Sequence, residues 1–172
     1  MGSVKLDSSN RGKRLYASAE DASCGDRMYW GTGALIGDYA NIPAIPDCTG
    51  STISANAGNN GCVDGRANSN ILRAINDFPG PYIATQVCTG TAGTPIILHG
   101  KNDWYLPSIE ELLLLYPVRT QLGLQTTGTN RYWSSSEYNI SYISAKNLNV
   151  ADGSTSYGSK NNRYRVRCVR AQ

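Results

Sequence analysis

The chain is short of the features that announce most functional classes. Charged side chains make up 17% of its 172 residues, against about 25% in an average soluble protein, so charge-driven disorder is excluded. One histidine, His99, is present, with one phenylalanine and two methionines. A Ser-His-Asp triad would have to use His99, and no nucleophile-elbow motif accompanies it. The five cysteines (24, 48, 62, 88 and 168) include no C-x-x-C pair, which argues against a zinc site. No window reaches the roughly 18 consecutive apolar residues that span a bilayer, and membrane insertion is not expected. There is no export signal at the start, but Met1-Gly2-Ser3 reads as a cloning remnant, so this says nothing about location.

Other absences narrow the field further. Gly31-x-Gly33-x-x-x-Gly37 misses the dinucleotide-binding spacing by one residue and precedes no good helix, and glycine turns account for it. Glu110 and Glu111 are adjacent, so on a helix they point about 100° apart and make a poor acid–base pair. Asp64-Gly65 and Asn102-Asp103 could offer oxygen ligands, but neither follows a calcium-loop pattern. We therefore expect no catalytic residue, no metal and no cofactor.

What the chain does have is 18 glycines, 11 tyrosines and abundant Asn and Ser, the make-up of one turn-rich domain. Dispersed cysteines in such sequence fit two disulfides and one free thiol in an exported protein or a virion component. Two bridges among five cysteines can be drawn in about 15 ways, so the pairing stays open.

Short strands are expected at Arg27 to Trp30 and Ala34 to Ile36. Apolar residues at 71, 72, 75 and 78 predict a helix capped by Asn68 or Ser69 and stopped by Pro79-Gly80-Pro81. Ser108-x-x-Glu111 is a capping box that opens a second helix through Leu112 to Tyr116, with Pro117 as its stop. Its four consecutive leucines predict burial on most sides. Asp103 to Pro107 should be a strand or tight connection feeding that cap. Beyond it, Tyr132 to Glu137, Ala145 to Val150 and Arg163 to Val169 read as a β-meander, with Asp152-Gly153 turning between the last two. Tyr164, Val166 and Cys168 would share one face of the last strand, and Arg163, Arg165 and Arg167 the other.

Residues 1–99 carry a net charge of −1 and residues 100–172 a net charge of +4. Lys160, Arg163, Arg165, Arg167 and Arg170 follow one another with no acid between them, a candidate patch for sulfated polysaccharide or nucleic acid. They also fit a charged edge strand that resists pairing. The stretch from Asn139 to Tyr164 is unusual in another way: Asn, Ser, Thr and Tyr fill 14 of its 26 positions. Antibody paratopes show the same bias, because Tyr gives a rigid amphipathic contact while Ser and Asn hydrogen-bond adaptably.

Asp103-Trp104-Tyr105-Leu106-Pro107-Ser108 with Glu111-Leu112, then Tyr132-Trp133-Ser134-Ser135-Ser136-Glu137, then Val166-Arg167-Cys168-Val169-Arg170 resemble the C-terminal domain family of the Legionella collagen-like protein. Gly61-Cys62-x-Asp64-Gly65-x-Ala67-Asn68 matches more faintly. The resemblance implies an α+β, C-type lectin-like fold over residues 4–172, with two helices packed on small twisted antiparallel sheets and extensive irregular loops. It implies surface display and binding rather than catalysis, with some members attaching to sulfated glycans and some forming trimers. The fold is shared with sulfatase-activating oxidases, whose catalytic cysteine pair has no counterpart in the C-terminal half.

The ending, 132–170, also resembles variable proteins of diversity-generating retroelements, which copy a template with adenine-directed errors. Randomising both adenines of an AAC codon never yields Glu, Gln, Lys, Met or Trp. Asn139, Ile140, Ser141, Tyr142, Ser144, Asn147, Asn149, Ser154, Ser156, Tyr157, Ser159, Asn161, Asn162, Arg163 and Tyr164 all fall within the permitted set. Lys146 and Lys160 do not. Those fifteen are the expected ligand-binding, variable positions, with Tyr138, Tyr142, Tyr157 and Tyr164 as anchors. Trp104, Trp133, Val166 and Cys168 are the expected structural frame, with Leu148, Val150 and Val169. The expected partner is a cell-surface protein or glycan rather than nucleic acid, met by a homotrimer or a domain attached to a larger fibre. The expected place is outside the cell, on a bacterial or archaeal surface or a phage or virus particle. The rival reading is an invariant adhesin that binds sulfated glycans through the basic face.

Overall fold

The computed structural model describes residues 3–5, 14–22, 26–32, 41–48, 60–75, 81–128, 130–138 and 143–172. The candidate strand at Ala34 to Ile36, Cys24, Phe78 and the helix stop at 79–80 lie outside them. Among the described residues the fold is α+β, as expected: helices packed on small antiparallel sheets with long irregular connections. Two helices were expected, and the described residues hold four: α1 (Asn60–Val63), α2 (Gly65–Arg73), α3 (Ile83–Thr89) and α4 (Ile109–Leu115). Both additional helices are short, α1 with four residues and α3 with seven, too short to leave a periodic stripe.

Strands β1 (Ser3–Lys5), β2 (Arg14–Ala17) and β10 (Val169–Ala171) form one antiparallel sheet with β2 in the middle, which brings the two ends of the domain together. β3 (Met28–Tyr29) pairs with β9 (Arg163–Tyr164), and β4 (Gly90–Thr91) with β5 (Thr94–Pro95). The largest unit, in strand length, is the sheet of β6 (Arg131–Tyr138), β7 (Ser144–Asn149) and β8 (Thr155–Ser159), in that order.

Side chains alternate across a strand, and this divides the core in two. Tyr132 and its partner Leu148 join Leu112 and Leu115 of α4, Leu15 and Val169 on one side. Trp133 and Ala145 join Trp30, Leu72, Tyr82, Val166 and Cys168 on the other. The expected frame residues Trp104, Trp133, Val166 and Cys168 are all buried.

α4 starts as the sequence predicts: the Ser108 hydroxyl accepts from the Glu111 N–H at 3.3 Å, and the Glu111 carboxylate accepts from the Ser108 N–H at 2.9 Å. The same carboxylate accepts from the Gly65 N–H (3.2 Å) and the Tyr105 hydroxyl (2.9 Å). One side chain thus satisfies orphan donors at the starts of two helices. A Cβ at Gly65 would collide with that carboxylate and with the Ser108 backbone. α2 is capped by Asp64, whose Oδ1 accepts from the Ala67 N–H at 2.9 Å, instead of by Asn68 or Ser69. Those two lie buried inside the helix: Asn68 donates to the Gly61 carbonyl and the Ser135 hydroxyl, and Ser69 exchanges hydrogen bonds with the Leu106 backbone. They look like caps in sequence because they are small and polar, and they are selected here as core hydrogen-bonders.

Disulfides join Cys48 to Cys62 and Cys88 to Cys168. Loop closures of 14 and 80 residues correspond to about 3 and about 4.5 kcal/mol in the chain-entropy account. Two bridges were expected and two are found. The second fastens α3 to the segment leading into β10.

Candidate ligand-binding surface

The meander differs from expectation in one strand. The turn around Asp152-Gly153 leads into β8 (Thr155–Ser159), which pairs with β7, whereas 163–169 is divided between the short β9, an irregular passage and β10. Register places Tyr138, Ser144 and Ser159 in one row, Lys146 and Tyr157 in the next, and Tyr132, Leu148 and Thr155 in a third, all on one face. A bulge between Trp133 and Glu137 re-aims the end of β6.

On that face the Tyr138 and Tyr157 rings stack with centroids 4.2 Å apart and planes 9° from parallel. The Lys146 ammonium lies 4.7 Å from the Tyr138 centroid. Lys146 is buried, and desolvation lowers its pKa. Tyr157 on the edge strand is 54% exposed and Ile143 at the start of the sheet 37%.

The fifteen expected contact positions divide by environment. Asn139, Ile140, Ser141 and Tyr142 lie outside the described residues. Ser154, Tyr157, Asn162 and Arg163 are exposed, and Ser156, Ser159, Asn161 and Tyr164 are half-buried, all on β8, β9 or their turns. Asn149 and Ser154 spend their side chains on the β7–β8 turn through Asp152, at 3.0 and 2.6 Å. Gly153 is needed there, with φ of 79° and the Tyr116 ring 2.7 Å from where a Cβ would stand. Asn162 donates to the Tyr164 hydroxyl (3.1 Å), and the Tyr164 ring packs on Trp133 at 4.4 Å. Ser144 and Asn147 were expected to face outward and do not: both are buried in β7, the middle strand, where Asn147 accepts from Arg131 at 2.7 Å.

The expected basic face is also corrected. Lys160 is fully buried and ion-paired with Glu137, beneath the Trp30 ring at 4.8 Å. Burial pushes the Glu137 carboxyl up and the Lys160 ammonium down. Glu137 also accepts from the Ile42 N–H (3.0 Å), the Lys160 N–H donates to the Ile143 carbonyl (2.7 Å), and the Lys160 carbonyl accepts from the Trp30 N–H (3.0 Å). Arg167 is buried too, bonded to Asp21 and to the Ser18, Ala19 and Leu122 carbonyls. Arg165 meets Asp21 at 3.3 Å, and Arg170 grips both Asp103 oxygens at 2.8 Å. Of the five cations, Arg163 alone is exposed, and it donates twice to the Arg27 carbonyl. Arg165, Arg167 and Arg170 each pair with an acid more than 60 residues away in the chain, so the run of cations in the sequence gave no sign of it.

Asp64 and Asp103, weighed as oxygen ligands, serve as a helix cap and as the Arg170 partner. The His99 ring meets Trp104 edge-on at 5.9 Å. It borders a cleft of about 440 Å³ beside Cys168, lined also by Val87, Ile96 and Leu98. No described helix is long and apolar enough to cross a membrane. A family model described as the Lcl C-terminal domain matches residues 49–170. Among curated proteins none matches the chain.

Proposed function

The chain belongs to the Lcl C-terminal domain family, one of secreted surface proteins of adhesion type, and from that premise we propose that it is a non-catalytic display domain. Its ligand-binding surface is the outward face of β8 with the flanking turns, and the ligand is a molecule on another cell's surface. Retroelement-driven diversification supplies the variation at the exposed positions. The domain works outside the cell, on a microbial surface or a phage or virus particle, as a homotrimer or on a larger fibre, where repetition raises avidity.

One observation carries the reading. On the edge strand β8 and the turns beside it Ser154, Tyr157, Asn162 and Arg163 are exposed, while the residues that a template of AAC codons cannot produce, Lys146 in the neighbouring strand and Lys160 at the end of β8, are buried. Substitution on such a surface usually costs within about half a kcal/mol, so the outward set can change without unfolding the domain. The rival reading, attachment to sulfated glycans through the basic face, loses support because Lys160 and Arg167 are interior and Arg165 and Arg170 are paired with acids.

Deep sequencing of the gene's 3′ end across a natural population tests the proposal. Substitutions should pile onto the exposed positions among 154–163 and spare Lys146, Lys160, Trp133 and Val166. A flat profile would sink the diversification.

A further inference from the structure

We infer that this surface takes an uncharged saccharide, with one pyranose ring lying against the outer face of Tyr157. The inference rests on the reading of β8 as the contact strand and adds the chemistry of what β8 contacts. Charge is the first ground. Between residues 143 and 164 the charged side chains are Lys146, Asp152, Lys160 and Arg163. Both lysines are buried, Asp152 accepts from Asn149 and Ser154, and Arg163 spends two N–H groups on the Arg27 carbonyl. The two exposed charges, Asp152 and Arg163, are opposite in sign, so the face offers hydroxyl and amide groups with little net charge, which complements a neutral ligand.

Ring geometry is the second. Tyr138 covers one face of Tyr157 in a parallel stack, so the exposed area of Tyr157 belongs to its other face and its edge. The stack sets the plane before any ligand arrives, which removes an ordering cost from binding. An aromatic face carries partial negative charge and suits the weakly positive C–H face of a sugar ring. Thr155 and Ser159 stand two residues to either side on the same face of β8, so that their hydroxyls flank the Tyr157 ring.

Size is the third. Among the described residues the exposed large hydrophobics are Ile97, Ile143 and Tyr157. A stable protein partner buries about 800 Å² on each side around an apolar, aromatic centre. Among the described residues one ring with Ile143 at the sheet's end is small for that and well matched to a single sugar ring.

Saturation-transfer NMR on the whole chain tests this, with oligosaccharides of glucose, galactose, mannose and N-acetylglucosamine set beside heparin fragments. At least one neutral saccharide should receive saturation at its ring C–H protons. Tyr157→Ala should weaken its binding by at least about ten-fold, the loss expected of an aromatic anchor. Tyr157→Phe keeps the ring and should stay within about three-fold, and Thr155→Val should weaken binding without disturbing the stack. Raising salt from about 50 to about 200 mM should change affinity by less than about two-fold, whereas an electrostatic binder loses far more. The inference is overturned if no neutral saccharide binds, if binding survives Tyr157→Ala, or if only heparin fragments bind. Population sequencing reads β8 independently of any sugar, so codon variation clustered on β8 without neutral-sugar binding removes the ligand class and leaves the surface standing.

Discussion

Strands β7 and β8 lie side by side and draw on the same few residue types. β7 contributes Ser144, Asn147 and Asn149, and β8 with its turns contributes Ser154, Ser156, Ser159, Asn161 and Asn162. In β7 Ser144 and Asn147 are boxed in by β6 and β8, with Asn147 fully buried and bonded to Arg131, and Asn149 at the strand's end serves the turn. In β8, at the sheet's edge, the same residue types face solvent or spend their hydrogen bonds on local turns. Composition alone therefore does not separate a display strand from a structural one. Strand order does, because a middle strand has neighbours on both sides and an edge strand has one.

Three sets of substitutions sharpen that contrast, in falling order of effect. The Glu137–Lys160 pair lies at the end of β8 and ties that strand to Trp30, Ile42 and Ile143. Lys160→Met leaves the Glu137 carboxylate buried without its cation and should cost about 3–5 kcal/mol in urea denaturation. Adding Glu137→Gln should restore much of that loss. A Lys160→Met protein as stable as the parent would mean that the pair is not the frame of this surface.

Asn147→Ala in β7 deprives Arg131 of its acceptor and should cost about 1–3 kcal/mol. Ser156→Ala in β8 should stay within about half a kcal/mol. Equal costs in the two strands, measured by the same melts, would erase the distinction between them.

The smallest effect is one of pH. Arg170 holds the Asp103 carboxyl below its ordinary range, so the folded state binds that proton less readily than the unfolded chain. Its contribution is present above the unfolded carboxylate pKa, near 4, and is lost as pH falls through the lower folded value. Asp103→Asn should flatten the acid limb of the stability curve by under about 1 kcal/mol, the usual size for a partly exposed pair. Glu137 is shifted the opposite way by burial, so its own titration favours the folded state at acid pH. A steeper acid limb in Asp103→Asn would refute the assignment.

Local grammar in the chain was enough for the α4 capping box, the buried leucines behind it, the β6 and β7 strands, the turn at Asp152-Gly153 and the α+β class, because each depends on residues within a few positions of one another. Trp104, Trp133 and Val166 announced an interior for a similarly simple reason: large apolar side chains have nowhere else to go. Lys146 and Lys160 stood out in sequence as codon exceptions, with no sign of why. That both are buried became visible only in the fold. The same holds for the arginine run, read as an outward patch and found to be tied inward by Asp21 and Asp103 from far along the chain. It holds too for Asn68 and Ser69, taken for helix caps and found bonded into the core. Apolar burial is written into residue type, whereas the fate of a polar or charged group depends on which partner the fold brings within about 3 Å. That partner is set by tertiary contact, and so it was the three-dimensional arrangement that separated the buried frame of this domain from its exposed edge strand.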